Sequence, residues 1–271
     1  MAGGYDGRHF TSPLTTDFGN ANGFVGTLKG VIWNIAPGVQ IADITHDIPA
    51  QDVRQGAIAL WRAAPFFPPG SVHIAVVDPG VGTDRRPIGA RFGNQFFIAP
   101  DNGLLTPMLE DAEAAGDSIQ MVCLDQPQYW LPKVSRTFHG RDIFAPCGAH
   151  LAAGVALSEL GTPITEIVRK PLPKPEPTET GYRAHILLAD VFGNLTTDLP
   201  ASWVKNRDRV TFSVRGTTIE GLVLSYGHKQ PGELVALEDS EGYIEIALVN
   251  GSARNALSAQ IDDVVEVFLN A

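Results

Sequence analysis

Hydrophobic positions along this chain come in short blocks, and their rhythm changes once. Residues 71–77, Ser-Val-His-Ile-Ala-Val-Val, are dominated by β-branched side chains and follow a Pro-Pro-Gly turn, which predicts a buried strand. Further strands are predicted at 40–43, 91–98 and 120–123, alternating with helices at 23–34, 50–64, 103–111 and 143–157. Alternation of this kind predicts an α/β layered sheet. Beyond residue 181 the helical signal nearly vanishes, and short strands are predicted at 184–189, 209–214, 217–223, 234–238, 243–247 and 264–268. The second part should be a smaller β-barrel or β-sandwich. Between the two, residues 170–181 alternate proline with other residues and can neither continue a helix nor donate regular ladder bonds. The expected organisation is therefore an N-terminal α/β domain at 13–169, a proline-rich linker at 170–181 and a C-terminal β domain at 182–271.

Composition removes whole classes of function. The formal net charge of -10 across 271 residues argues against a nucleic-acid binder, which needs a basic patch to neutralise phosphates. Apolar runs are interrupted well short of the roughly 20 residues a spanning helix requires, so no membrane segment is expected. Residues 1–12 lack the apolar core of a signal peptide and are expected to form a poorly ordered leader. The two cysteines, Cys123 and Cys147, have apolar or small neighbours and no metal-type spacing. Both read as buried thiols of a cytoplasmic protein, and no metal site is predicted.

Five polar clusters could carry chemistry. After the strand at 71–77 comes Asp78-Pro79-Gly80-Val81-Gly82-Thr83-Asp84-Arg85-Arg86, a carboxylate at a strand exit with two arginines just beyond. Open α/β sheets bind ligands outside the carboxyl ends of strands, which favours a site role for Asp78, while Asp-Pro-Gly equally suits a plain turn. Asp17, in Thr15-Thr16-Asp17-Phe18-Gly19, leaves an early strand and could accept from both hydroxyls of a ribose, or simply cap the next helix. His139 lies beside Gly140 in Thr137-Phe138-His139-Gly140-Arg141-Asp142, where glycine suggests close backbone approach; Asp142 reads as a helix cap with Arg141 as its surface partner. Asp101-Asn102-Gly103 reads as a turn with a capping carboxylate or amide. In the second part, Asp190-Val191-Phe192-Gly193-Asn194 offers a stacking face at Phe192 and a donor–acceptor amide at Asn194, though a hairpin turn is the plainer reading. No dinucleotide or phosphate-binding glycine loop and no nucleophile elbow is present in context.

In order along the chain, TTDFG, VGTLKG, ITHDIPAQDVRQGA, FFPPGSVHIAVVDPGVGT, FIAPDNGLLTPML, TFHGRDIFAPCGAHLAAG, DVFGN and GYIEIALVNGSA resemble the S-adenosyl-L-methionine (SAM) hydroxide adenosyltransferase family, the SAM hydrolases related to fluorinating and chlorinating enzymes. The series runs from Thr15 to Ala253. The resemblance implies hydrolysis of SAM to adenosine and L-methionine by in-line attack of water or hydroxide on the ribose C5′, with SAM as substrate and no separate cofactor. It also implies a homotrimer holding SAM between the N-terminal domain of one subunit and the C-terminal domain of its neighbour. By motif, Asp78, Arg85 and His139 would hold the water, and Asp17 would hold the ribose. Phe192 and Asn194 would meet adenine, Asp190 and Ser240 the methionine moiety, and Ala253 would complete the substrate contacts.

Departures from the pattern bear on the nucleophile. Halogenating relatives carry tyrosine where this chain has Asp78, and the fluorinating ones carry serine where it has Gly140. A carboxylate repels a halide yet accepts a hydrogen bond from water. Gln51 replaces a tryptophan of those relatives and Glu241 an arginine, which loosens the methionine assignments. Two alternatives remain: a SAM- or adenosine-binding sensor with negligible turnover, and a halide-using SAM transferase. Whether Asp78 or His139 would act as base stays open at the level of sequence.

Overall fold

In a computed structural model, residues 11–269 are described. The leader expected at 1–12 falls outside that range up to residue 10, and Thr11 and Ser12 already belong to the first strand. The chain divides into two compact units at Pro171/Leu172.

The first unit is built on β1 (Thr11–Thr16), α1 (Phe24–Ile35), β2 (Gln40–Thr45), α2 (Val53–Ala63), β3 (Val72–Val76), β4 (Pro87–Phe92), β5 (Gln95–Pro100), α3 (Thr106–Ala115), β6 (Ile119–Cys123), α4 (Ala145–Ala152) and β7 (Thr162–Pro163). Its seven strands lie in the order β2-β1-β3-β5-β4-β6-β7. The first four run parallel and the other pairings are antiparallel. Each face of the sheet is covered. Leu14, Ile74, Val76 and Ile98 pack with residues of α1 and α4, whereas Ala75, Val77, Phe97 and Ala99 pack with residues of α2 and α3. Burial on both sides explains why β3 reads as a continuous apolar run rather than an alternating one. His73 sits within β3, stacked on Phe97 at 5.0 Å, and burial brings its imidazole down to about 4, so it stays neutral.

The strand expected at 91–98 is a hairpin. Phe92 pairs with Gln95 across Gly93-Asn94, and Gly93 takes a φ of 58°, so β4 and β5 run antiparallel where one strand was expected. The helix expected at 103–111 starts later, at Thr106, after Gly103 turns at φ 99°. The one expected at 143–157 is shorter: a π turn over Gly140–Phe144 leads into α4, which ends before Gly154 (φ 101°). Cys147 is buried, and burial pushes its thiol up to about 12; Cys123, expected to be buried, is partly exposed at the end of β6.

The second unit is antiparallel: β8 (Glu176–Pro177), β9 (Gly181–Ala189), β10 (Leu195–Pro200), β11 (Val210–Val214), β12 (Thr217–Glu220), β13 (Leu234–Glu238), β14 (Tyr243–Leu248), α5 (Ala253–Leu257) and β15 (Val264–Leu269). The order is β12-β11-β15-β9-β10-β14-β13, and Val223, just past β12, bridges Leu237 of β13, nearly closing a barrel. Its centre is filled by residues such as Ile186, Leu199, Phe212, Ile244 and Val265. The linker expected at 170–181 is only partly one. Glu176–Pro177 pairs with Tyr182 and Arg183 of β9, an edge position where proline's missing N–H costs no ladder bond. Strand β10 and helix α5 were not expected from sequence. No described helix is long and apolar enough to cross a membrane.

Candidate active site

Parallel pairing decides where the polar clusters go. Thr16 of β1 lies opposite Val76 of β3, so Asp17 and Asp78 leave the sheet at one edge. Strand β5 runs the same way beside β3 and delivers Asp101 and Asn102 to that edge. This is where an α/β sheet presents ligand-binding loops.

Asp78 and Arg85 form a two-pronged ion pair. Arg85 Nε donates to Oδ1 at 2.9 Å and to Oδ2 at 3.0 Å, and its Nη2 donates to Oδ2. Their side chains are 5% and 9% exposed. An ion pair this sheltered is sustained by its geometry, because each partner alone would be a buried charge. The same Nη2 lies 2.9 Å from His139 Nδ1. A guanidinium has no lone pair to offer, so Nδ1 must accept, which fixes the ring as the neutral tautomer with its proton on Nε2. Burial is the main cause lowering the imidazole pKa, followed by the Arg85 charge; Asp78, the Ser135 backbone and Asp142 act the other way. Beneath the guanidinium lies the Phe144 ring, 5.0 Å away.

The loop carrying Asp78 and Arg85 is tightly folded. Asn102 Nδ2 donates to the Val77 carbonyl at 2.8 Å, and Val81 N donates to the Asp78 carbonyl. Gly82 (φ 77°) lies under the Arg136 carbonyl, which would stand 2.3 Å from any Cβ there. This approach couples the Asp78 loop to the segment before His139. Asn102 therefore braces the end of β3, and Asp101 accepts from Arg86 and from Val168 N; neither caps α3, whose first residue lies beyond them. Asp142, expected as a cap with a surface partner, is fully buried and accepts from Ser135 N, Ser135 Oγ and Arg141 Nε at 2.8, 2.7 and 2.6 Å.

Asp17 accepts from Gln51 N at 2.8 Å through one oxygen, and the other has no hydrogen-bond partner among the described residues. Gln51 reaches it from the left-handed region at φ 67°, uncommon for a residue with a side chain. Beside it, Phe18, Phe24 and Phe138 meet edge to face at 5.3–6.1 Å, and a Cβ on Gly140 would lie 3.2 Å from Phe18. Glycine at 140 thus lets the Phe18 ring close over the turn that carries His139.

In the second unit, Asp190, Phe192 and Asn194 share the wall of a cleft of about 540 Å³ with Tyr226, Leu248 and Gly251. Asp190 is committed to its own loop, accepting from Phe192 N, Asn194 N and Asn194 Nδ2 at 2.8–3.0 Å. This leaves Phe192 73% exposed and Asn194 Oδ1 without a hydrogen-bond partner among the described residues. Gly193 is obligatory here: at φ 83°, a Cβ would stand 2.0 Å from Ser252 Oγ. Tyr226, missed in the sequence, donates to Glu245 at 2.6 Å, and burial with that carboxylate raises its phenol. Ser240 is exposed in the β13–β14 turn, and neither it nor Ala253 lines the cleft. Ala253 is wholly buried against the barrel core and offers a ligand no surface in this arrangement.

The geometry thus unites Asp78, Arg85 and His139 in one hydrogen-bonded chain with Asp17 at the same sheet edge, and gathers Asp190, Phe192 and Asn194 in one cleft. Sequence reasoning missed Ser135 and Gly82 and misread Asp142. Their only signal was the short spacing to His139 and the Gly-Val-Gly loop.

Comparison with known proteins gives consistent matches. The family model for the SAM hydroxide adenosyltransferase N-terminal domain matches residues 13–161, and that for its C-terminal domain matches residues 184–266. A protein of Salinispora tropica named (R)-S-adenosyl-L-methionine hydrolase is 39% identical over 94% of this chain and 96% of its own length. A fluorinase of an Actinoplanes species is 29% identical over 86% of the chain and 88% of its own length. The crystal structure of an uncharacterized conserved protein from Thermotoga maritima aligns with a TM-score of 0.86 at 34% identity, covering 95% of this chain and 100% of the other.

Proposed function

Because this chain belongs to the SAM hydroxide adenosyltransferase family, we propose that it hydrolyses SAM to adenosine and L-methionine by in-line attack of water on the ribose C5′. The observation carrying this reading is the chain Asp78–Arg85–His139 at the carboxyl edge of a parallel sheet.

The substrate's sulfonium leaves as a neutral thioether, so no strong acid is required. The protein's task is to hold one water in line with the C5′–S bond and exclude the others. Asp78 accepts a hydrogen bond from that water and takes its proton as the C–O bond forms, and the bond electrons pass to sulfur. Arg85 Nη1 has no hydrogen-bond partner among the described residues and points to a role in steadying the developing hydroxide. His139 cannot serve as base through Nδ1 while that atom accepts from Arg85, so it acts as a neutral brace. The free oxygen of Asp17 takes a ribose hydroxyl, and Phe192 and Asn194 take the adenine face and edge. Asp190 contributes by fixing that loop, while Ser240 is the methionine-side contact.

Water is favoured over halide because Asp78 already fills the guanidinium fork that an anion would need. We also place the site at subunit boundaries of a homotrimer in the cytoplasm, where the two free thiols would stay reduced. Beyond SAM and water, the proposed reaction requires no separate cofactor. Light scattering should give three times the 29.0 kDa chain mass.

Incubation of the purified protein with SAM should yield adenosine and methionine in equal amounts, followed by chromatography. No adenosine above a His139→Ala control would sink the reading. Binding without product would favour the sensor alternative, and a chloride-dependent 5′-halo nucleoside the transferase. Phe192→Ala should raise KM about tenfold with little change in kcat, since one base-stacking contact is worth about 1–3 kcal/mol.

A further inference from the structure

We propose that Asp142 is a positioning residue for the reaction: it touches no substrate, and through Ser135 it sets both His139 and the loop that carries Asp78 and Arg85. The proposal rests on the reading of Asp78, Arg85 and His139 given above.

Asp142 is wholly buried, yet only one of its three partners is a charge. The other two are the backbone N–H and the hydroxyl of Ser135, both on Oδ2. Ser135 Oγ then accepts from Phe138 N at 3.1 Å, the residue immediately before His139. The segment between them is pinned once more, where the Arg136 carbonyl rests on Gly82 of the Asp78 loop. Asp142 reaches inward because its turn is wide. Ala145 N donates to the Gly140 carbonyl five residues back, the hydrogen bond of the π turn over Gly140–Phe144. Such turns recur at functional sites, where they re-aim a side chain that a regular helix would leave on another face. One carboxylate therefore clamps a strap whose far end carries His139 and whose middle rests on the Asp78 loop.

A purely structural carboxylate would change the amount of folded protein and little else. A positioning carboxylate should change kcat in the folded protein, because misplacing a reacting group by about 1 Å costs on the order of 100-fold. Asp142→Asn keeps the volume and one acceptor but loses the charge. Its kcat should fall roughly 30-fold, with KM within about threefold because the proposed ribose and adenine contacts lie elsewhere. Ser135→Ala removes only the hydroxyl arm and should cost roughly fivefold. The acid limb of the kcat profile gives a second readout. Arg85 and Asp78 face His139 from the β3–β4 loop, and Asp142, paired with Arg141, from its own turn. Of these, Asp78 and Asp142 support the protonated ring, so Asp142→Asn, which leaves Asp78 in place, should move the limb to lower pH.

Ser135→Ala retains the backbone arm and keeps the test alive if Asp142→Asn does not fold. The ¹⁵N resonances of the His139 ring should shift in either variant, whether or not the protein turns over SAM. Failure of the wild type to form adenosine would thus refute the proposed function, while the His139 resonances still judge the clamp. Wild-type kcat per folded molecule together with unshifted His139 resonances in Ser135→Ala would overturn the positioning role.

Discussion

Asp78→Asn is expected to lower kcat for adenosine formation by about a thousandfold while KM for SAM stays within a few-fold, measured by steady-state chromatographic assay. Proton transfer to a positioned carboxylate contributes about 10²–10⁴. The substitution also injures the ion pair. Asparagine still accepts from Arg85 through one oxygen, but its amide N–H₂ faces guanidinium donors that need a second acceptor. With Arg85 9% exposed, the uncompensated charge costs about 3–5 kcal/mol of folding stability unless water enters the site. A thermal scan separates the effects: a melting point lowered by several degrees beside a thousandfold loss in the fraction still folded supports a chemical role for the carboxylate. A thermal shift without a change in specific activity would leave Asp78 as a structural ion-pair partner only.

Gly82→Ala is the second variant expected to have a large effect, and it touches none of the proposed catalytic groups. Alanine at φ 77° carries left-handed strain of about 1–2 kcal/mol. Its methyl group would also stand 2.3 Å from the Arg136 carbonyl, so the two loops must separate. That separation pulls His139 from Arg85, and kcat should drop about a hundredfold. The melting temperature should fall about 5 °C, in proportion to strain of this size in a unit of this length. Wild-type kcat would mean that the two loops are not mechanically coupled. Gly80→Ala is a milder comparison, because its Cβ would meet side-chain atoms only, Arg85 Cγ at 3.1 Å and Thr83 Oγ1 at 3.4 Å, and no backbone.

The parts of the molecule legible in the sequence were those written in local patterns. Strand β3 showed itself as a β-branched run because both its faces are buried, and most barrel strands showed as short apolar blocks once the helical signal faded, β10 excepted. Asp78, Arg85 and His139 could be named from motifs, and the edge on which Asp17 and Asp78 emerge follows from a parallel register that no local pattern states. The β4–β5 hairpin was missed although Gly93-Asn94 is a two-residue turn signal, because the apolar run on either side masked it. Asp142 was misread for a different reason. Asp after Gly-Arg before an apolar run has the look of a helix cap, and only the widened turn, a non-local outcome of packing, swings its carboxylate inward onto Ser135. Asp190 likewise looked like a ligand contact in a short motif, yet its hydrogen bonds stay within its own loop.

Arg85 joins residues far apart in the chain: its contact with His139 closes a loop of 54 positions. Ordering such a loop carries an entropic cost of about 3.5 kcal/mol, which the buried ion pair and its neighbours offset. Activity and fold integrity are therefore drawn from one set of bonds. Mutations that loosen Arg85 for the sake of a broader substrate range will meet a stability threshold early, so adaptation of this enzyme has more freedom in the exposed loop around Phe192 than at the proposed water site.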